Sequence, residues 1–238
     1  MLTSKDMLKF LSNQLSSEEI RYFEHHPRQL LRKLDGAITE ATVLFSDLVS
    51  FTKFSEEHNL EKVRLLLKTT LPPIAGEIRQ AGGAVDKYIG DAIMAIFGAP
   101  EYPRHELDLV VWAAFRMHER IDQCERELNV LGINPQKIKV GICTGEIVFV
   151  RLEDNGHDEL TILGKTVNRA ARLSTLSEEQ RVFIDERTYE RLSPTMRENC
   201  LERKPFNKRG CKFYYYPLEH WPSYFIPRRL IKFENDNH

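Results

Sequence analysis

The sequence predicts a mixed fold of the α/β or α+β class, in which strands and helices alternate around one sheet. Three features carry this prediction. The run Thr42–Phe45 is short, apolar and partly β-branched, as expected of a buried strand. Residues 84–97 flank Ile89-Gly90-Asp91 in the pattern of a β-hairpin. Residues 105–130 place apolar side chains at helical intervals, which predicts a long amphipathic helix ending near Gly132.

Two further regions are predicted to be helical, and each contains proline. The first, residues 3–34, is interrupted at Pro27. The second, residues 56–81, contains Pro72-Pro73, which lack amide donors, so we expect a kink or two abutting helices there. The remaining predicted elements are a helix at 166–175, a strand at 182–185, a helix at 186–192 and a strand at 213–218.

A turn is predicted at Thr144-Gly145. It would join a strand over 138–143 to a second strand over 146–152. The polar stretch at 153–158 is then expected to be a mobile loop.

Composition excludes several classes of protein. The chain has 238 residues, 42% of them hydrophobic and 29% charged, which excludes collagen-like, low-complexity and wholly disordered chains. Its 34 Lys plus Arg and 35 Asp plus Glu give a net charge of -1, so we expect no nucleic-acid partner. The four cysteines lie far apart without a C-x-x-C pair, which argues against a zinc ribbon or a disulfide scaffold. No apolar run reaches the ~20 residues of a membrane span, and the N-terminus lacks a signal-peptide core, so we expect no membrane span and a cytoplasmic location.

Two aspartates stand where predicted strands end. Asp47 directly follows the apolar run, and Asp91 lies at or beside the tip of the predicted hairpin. If these elements are neighbours, the two carboxylates converge, and a hard cation such as Mg²⁺ prefers that arrangement. Aspartates at strand ends also cap turns in many proteins, so this spacing alone leaves both interpretations open.

Three sequence motifs occur in order and at plausible spacing, and together they favour one interpretation of this site. They are FSDLVSFT at 45–52, GGAVDKYIGDAIMAIFG at 82–98 and VNRAARL at 167–173. Together they resemble the class III nucleotidyl cyclase catalytic domain, over about Thr42 to Leu218. The resemblance implies an α+β, ferredoxin-like fold with a mostly antiparallel sheet and helices packed on it. We therefore expect a helical extension at 1–40, a catalytic domain at 41–220 and a tail at 221–238.

The resemblance also implies a metal site. Asp47, Asp91 and the Leu48 carbonyl would bind two divalent ions, Mg²⁺ or Mn²⁺. Such ions lower the pKa of the ribose 3′-hydroxyl and stabilise the triphosphate charge. Phe51 and Thr52, in the same motif, are assigned to substrate binding.

Further substrate contacts follow from the other motifs. Asn168 and Arg172 lie four residues apart on one helix face, where Asn suits the ribose and Arg suits charge on phosphorus. An ordinary surface pair would have the same spacing, and only the motif favours catalysis. Lys87 and Thr161 occupy the two positions that select the base in the family, and a lysine donor suits adenine N1. Lys208 is assigned to the triphosphate, with Arg209 and Lys212 as alternatives.

Three positions depart from the family pattern. Ser50 stands where glycine is usual, Cys143 replaces the histidine of H-T-G, and Val150 falls in a segment where glycine is expected. These departures predict lower turnover, altered subunit geometry or a changed base preference.

The resemblance favours an adenylyl cyclase that converts ATP to 3′,5′-cyclic AMP and pyrophosphate. In the family, the metal ligands come from one subunit and the base-binding, Asn and Arg residues from the other, so a head-to-tail homodimer is expected. The alternatives are a cyclase for GTP or a pyrimidine triphosphate, as in phage-defence cyclases, and a catalytically silent nucleotide-binding regulatory domain.

Overall fold

The structure is a computed structural model, and it describes residue 8 and residues 17–98, 107–154, 157–177, 181–203 and 212–220. Its helices are α1 Ser17–His25, α2 Pro27–Leu34, α3 Phe51–Glu57, α4 Leu60–Gln80, α5 Leu107–Val130, α6 Lys165–Leu176, α7 Glu186–Arg191 and α8 Pro194–Glu198. Its strands are β1 Ile38–Leu48, β2 Ala84–Ile89, β3 Ala92–Phe97, β4 Ile138–Asp154, β5 His157–Leu163, β6 Arg181–Asp185, β7 Leu201–Arg203 and β8 Phe213–Pro217.

The described strands form one mixed sheet in the order β2-β3-β1-β4-β6-β8-β7, and β5 pairs with the second half of β4. Among these pairings only β4 with β6 is parallel. A mostly antiparallel sheet with helices packed on it confirms the predicted α+β class.

Among the described residues, hydrophobic side chains of the sheet form one core on each of its two faces. Along β1, Leu44 and Leu48 enter a core with α4 and α5, whereas Val43 and Phe45 enter a second core on the opposite face. The second core also contains side chains of α1, α2 and α6. Because residues of one strand alternate between the cores, both helix layers are anchored to the same strands.

The β2–β3 hairpin and α5 form where the sequence predicts them. The hairpin turns at Gly90, whose φ of 64° suits glycine. The helix α5 ends before Gly132, which also has positive φ. Within the described residues no helix is long and apolar enough to cross a membrane.

The prediction of a turn at Thr144-Gly145 is wrong, because β4 runs unbroken from Ile138 to Asp154. Gly145 pairs with Ala41 of β1 inside the ladder. A Cβ on Gly145 would stand 2.6 Å from Thr166 Oγ1 of α6. The glycine therefore permits close packing of a helix against the strand and does not reverse the chain.

The prediction of a loop at 153–158 is also wrong. Asp154 pairs with His157 at the end of the β4–β5 hairpin, so strand structure reaches both sides of 155–156, which lie outside the described residues. The strand β5 was missed because it begins with polar residues, and a surface strand needs no apolar alternation at its tip.

The helix α4 continues through Pro72 and Pro73, so of the two expected alternatives the pair of abutting helices is wrong, and the kink stays a prediction. Pro73 leaves the Thr69 carbonyl without its usual helical donor. The thiol of Cys124 on α5 donates to that carbonyl at a sulfur–oxygen distance of 3.4 Å. Tertiary packing against α5 thus compensates for the missing amide.

The predicted domain boundaries at 40/41 and 220/221 stay predictions, as does the helical character of the first 16 residues. The predicted helical region at 17–34 does form, as α1 and α2 on either side of His26. Among the described residues, the thiols of Cys124, Cys143 and Cys200 are free.

Candidate active site

The end of β1 and the tip of the β2–β3 hairpin bring the two predicted metal-binding acids together. Strands β1 and β3 are antiparallel with Ser46 opposite Ile93, so the next residues along each strand also converge. The backbone N–H of Leu48 donates to Asp91 Oδ2 at 3.2 Å. The carboxyl groups of Asp47 and Asp91 lie close enough for each to influence the other electrostatically.

The pKa of Asp91 is raised above its ordinary value. Burial is the largest cause, and the hydrogen bond and negative charge of Asp47 add to it. Two carboxylates this close repel each other unless a proton or a cation lies between them. Hard oxygen donors from Asp47, Asp91 and the Leu48 backbone are the ligands that Mg²⁺ and Mn²⁺ prefer, so the residues present fit such an ion.

Phe51 and Thr52 begin α3, three and four residues after Leu48. Phe51 packs against the core and Thr52 is exposed. Ser50, which precedes them, has φ 58° and ψ 24°, a left-handed conformation in which a side chain is disfavoured. The backbone of Ser50 therefore needs the conformation that glycine adopts without cost.

Lys87 of β2 and Thr161 of β5 meet, although 74 residues separate them. Lys87 Nζ donates to Thr161 Oγ1 at 2.5 Å. Lys87 is half-buried and Thr161 is buried, so their contact is partly sheltered from water. The structure thus places the two predicted base-selecting residues at one point.

Two acids beside Lys87 were missed by sequence reasoning. Glu159 Oε1 lies 3.5 Å from Lys87 Nζ, and Asp86 Oδ2 lies 3.7 Å from it. Asp86 is buried at a β-bulge, and burial raises its pKa to about 6 although the Lys87 charge opposes the shift. The contact of Glu159 with Lys87 spans 72 residues of sequence, so no local pattern signals it.

Asn168 and Arg172 lie on the exposed face of α6. Within the described part of the chain, no hydrogen bond or ion pair joins either residue to Asp47 or Asp91. The buried side of α6 carries Ala170 and Leu173 in the second core, so the opposite side is free to meet another molecule.

Close contacts with β4 fix the position of α6. Thr166 Oγ1 donates to the Glu146 carbonyl at 2.8 Å. Gly141 faces the helix so closely that a Cβ there would stand 2.2 Å from Ser174 N. Both ends of the helix that carries Asn168 and Arg172 are thus set by β4.

A buried polar network continues from the Cys143-Thr144-Gly145 segment. Thr144 Oγ1 lies within hydrogen-bond distance of Thr42 Oγ1 and Thr188 Oγ1, at 2.9 and 2.8 Å. The Thr144 N–H donates to Asp185 Oδ1, and Asp185 Oδ2 lies 3.3 Å from Arg169 Nη2 on α6. Arg169, which the sequence alone gives no role, therefore links α6 to the end of β6.

The remaining residues singled out by the sequence analysis are the basic residues before β8 and Cys143. Lys208 and Arg209 fall outside the described residues, and Lys212 is exposed just before β8. Cys143 is buried, and burial raises the pKa of its thiol, so it does not act as a thiolate. The roles of all these residues in binding and catalysis stay predictions.

Comparison with known families decides the class of this fold. Residues 35–221 match the adenylate and guanylate cyclase catalytic domain. The chain belongs to that family. It is 32% identical over 168 residues to the terminal-differentiation specific adenylate cyclase of Dictyostelium discoideum, covering 69% of this chain but 8% of that protein. It is 30% identical over 142 residues to an adenylate cyclase of Anabaena cylindrica, covering 58% of this chain and 27% of that protein. This cyclase domain thus spans a minor part of both relatives.

Solved structures of cyclases share the fold. The guanylyl cyclase Cya2 superposes with a TM-score of 0.69 at 25% identity, over 76% of this chain and 92% of that one. The adenylyl cyclase CyaB from P. aeruginosa gives a TM-score of 0.67 at 27% identity, over 76% of this chain and 95% of that one. Neighbours of both base preferences match this cyclase domain about equally well, so overall similarity does not decide the substrate.

Proposed function

We propose that this cyclase domain converts ATP to 3′,5′-cyclic AMP and pyrophosphate. The observation that carries the choice of ATP is the contact between Lys87 and Thr161. A lysine can only donate, and adenine N1 accepts, whereas guanine N1 carries a hydrogen and calls for an acceptor. The residues around Lys87 Nζ leave this ammonium partly exposed, as a base-contacting donor requires.

The metal site is assigned to Asp47, Asp91 and the Leu48 carbonyl. Domains of this family generally use divalent metals, and a bound Mg²⁺ or Mn²⁺ pair would acidify the 3′-hydroxyl and neutralise triphosphate charge. No cluster of three His, Cys, Asp or Glu side chains forms within the described residues, so water and phosphate oxygens would complete the coordination. Phe51 and Thr52 follow closely enough to contact the same triphosphate, and Lys208 is proposed to do so as well.

The remaining residues hold the reacting groups. Arg172 suits the charge that develops on the transferred phosphorus, and Asn168 suits the ribose. Both project from the exposed face of α6. We assign them to the active site of a partner chain, in a head-to-tail homodimer with two shared sites.

The test uses the purified protein with ATP, GTP, CTP and UTP in turn, each with Mn²⁺. Chromatography of the products should identify cyclic AMP as the main one. Cyclic GMP or a cyclic pyrimidine nucleotide as the main product would replace ATP with that substrate. Absence of any cyclic product would favour a silent nucleotide-binding domain.

A further inference from the structure

Asp185 holds a fixed negative charge at the point where β6 ends and α7 begins. Its side chain is 10% exposed. Its Oδ1 accepts three hydrogen bonds, from Thr144 N at 3.2 Å, Thr188 N at 3.0 Å and Thr188 Oγ1 at 2.6 Å. Because these donors belong to β4 and α7, the carboxylate cannot turn without breaking contacts to both elements.

The other carboxylate oxygen of Asp185 faces a cation on α6. Oδ2 is buried and has no hydrogen bond within the described residues. The guanidinium of Arg169 places Nη2 3.3 Å from this oxygen. Burial of a charged oxygen without compensation is costly, so the guanidinium is drawn to this position. The same Nη2 lies against β4, 3.5 Å from where a Cβ on Gly145 would stand.

This ion pair lies on the flank of α6, beside the face that carries Asn168 and Arg172. The buried side of the helix packs through Ala170 and Leu173, and apolar contacts of this kind have no preferred direction. A link on the flank, in contrast, resists rotation of the helix about its axis. Side chains reach ~6 Å from a helix axis, so a rotation of about 10° would displace their ends by about 1 Å. A displacement of about 1 Å near the reacting groups can lower a rate by about 100-fold.

We propose that Asp185 is a positioning residue of the cyclase site. Through Arg169 it fixes the rotation of α6, and hence the direction in which Asn168 and Arg172 meet the substrate. It also neutralises Arg169, which is a neighbour of Arg172 on the helix surface because the two are three residues apart. Arg172 is then the guanidinium of this pair that is available to the transferred phosphorus. This inference rests on the proposed nucleotidyl cyclase function.

The alternative role for Arg169 is direct binding of the triphosphate. The two roles predict different results for Asp185→Asn, in which the amide oxygen can still accept from the Thr188 N–H and cap α7. In the positioning role, loss of the charge loosens α6 and lowers kcat. In the binding role, it releases Arg169 toward the substrate and lowers KM.

The test is the steady-state kinetics of cyclic AMP formation. Arg169→Gln and Asp185→Asn should each lower kcat about 10-fold and change KM by less than about twofold, because the loss arises in the transition state. The double variant should be no slower than the slower single variant, since both substitutions break one link. Arg169→Lys should recover part of the lost kcat, because it keeps a positive charge facing Asp185.

Arg187→Gln is the matched control. The side chain of Arg187 is 47% exposed, against 49% for Arg169, and it pairs with Glu40. This substitution removes a comparable ion pair that does not involve α6, so kcat should stay unchanged. Solvent screens the half-exposed pair of Arg169, so Arg169→Gln should leave the urea midpoint of unfolding nearly unchanged. A loss of kcat that accompanies a clearly lower midpoint would mean a general structural role and would overturn the proposal.

Two kinetic results would also overturn it. The first is an unchanged kcat in Arg169→Gln, and the second is a pair of losses that multiply to about 100-fold in the double variant. A raised KM with unchanged kcat would assign Arg169 to substrate binding instead.

Hydrogen–deuterium exchange of residues 165–176 separates this inference from the proposed function, because the measurement needs no reaction. Faster exchange in Arg169→Gln and Asp185→Asn than in Arg187→Gln would support the restraint on α6, even if the unmodified protein forms no cyclic nucleotide. Equal exchange in all three variants would overturn the restraint, whether or not the protein is active.

Discussion

Within the described part of the chain, Ser50 is the only residue other than glycine that has a positive φ. A left-handed conformation costs an L-residue about 1–2 kcal/mol. Replacement by glycine removes this cost, but the greater conformational freedom of glycine in the unfolded chain offsets part of the gain in stability. We expect Ser50→Gly to raise the free energy of unfolding by about 0.5–1 kcal/mol, measured by urea denaturation.

Ser55→Gly is the matched control for this change, because Ser55 lies inside α3. Glycine there should lower stability by about 0.5 kcal/mol. Equal losses for both substitutions would show that the Ser50 backbone is not strained.

Asp86 predicts a pH dependence of stability. Burial raises its pKa from 3.8 to about 6, so the ionised form is less favourable in the folded than in the unfolded chain. The contribution of Asp86 to the free energy of unfolding should therefore fall by roughly 2 kcal/mol as pH rises from about 4 to 7. Denaturation across this range should show a smaller decrease for Asp86→Asn than for the unmodified protein.

Glu57→Gln provides the comparison, since Glu57 is exposed beside Lys53. It should leave the pH profile unchanged. Parallel profiles for Asp86→Asn and the unmodified protein would mean that Asp86 titrates normally in the folded state.

At the scale of elements, Gly141 sets the distance between β4 and α6. An added Cβ would stand 2.2 Å from Ser174 N and 2.6 Å from the Ala170 carbonyl, and both are backbone atoms that cannot rotate away. We expect Gly141→Ala to lower the free energy of unfolding by about 3 kcal/mol and to reduce cyclase activity, because α6 carries Asn168 and Arg172.

Gly76→Ala serves as the control, because nothing lies within 4 Å of a Cβ at that position in α4. It should raise stability by about 0.5–1 kcal/mol. A Gly141→Ala protein as stable as the unmodified one would contradict the close packing.

Elements with local signals were predictable, and those determined by distant contacts were not. The β2–β3 hairpin follows from its own residues, because its turn glycine and flanking apolar strands are contiguous. The close approach of α6 to β4 at Gly145 involves Thr166, 21 residues further along the chain. The Thr69 carbonyl, which Pro73 leaves without an amide donor, accepts from a thiol 55 residues away.

The residues of the candidate site also differ in whether a local sequence pattern identifies them. Asp47, Asp91, Lys87 and Thr161 could be assigned to the candidate site from the sequence because they stand within or beside short motifs. Glu159 and Asp86 were missed because their relevance lies only in their distance from Lys87 Nζ.

At the scale of the whole molecule, the proposed dimer predicts complementation between inactive variants. Asp47→Ala and Arg172→Ala should each be inactive alone. In an equal mixture, half of the dimers would combine the two chains, and each would hold one intact site, so activity should reach about one quarter of the unmodified level. The measurement is cyclic AMP formation after mixing and re-equilibration.

A mixture of Asp47→Ala with Asp91→Ala is the control, since both lesions remove a metal ligand and no pairing restores a complete site. It should stay inactive. Activity in this control, or none in the first mixture, would argue against sites shared between chains.

The β2–β3 hairpin holds Lys87 and Asp91 only four residues apart, at most about 14 Å along the chain. In a head-to-tail dimer these two residues serve different substrate molecules. One short turn would then connect the adenine of one nucleotide to the phosphates of the other, so the two reactions of a dimer would not be mechanically independent.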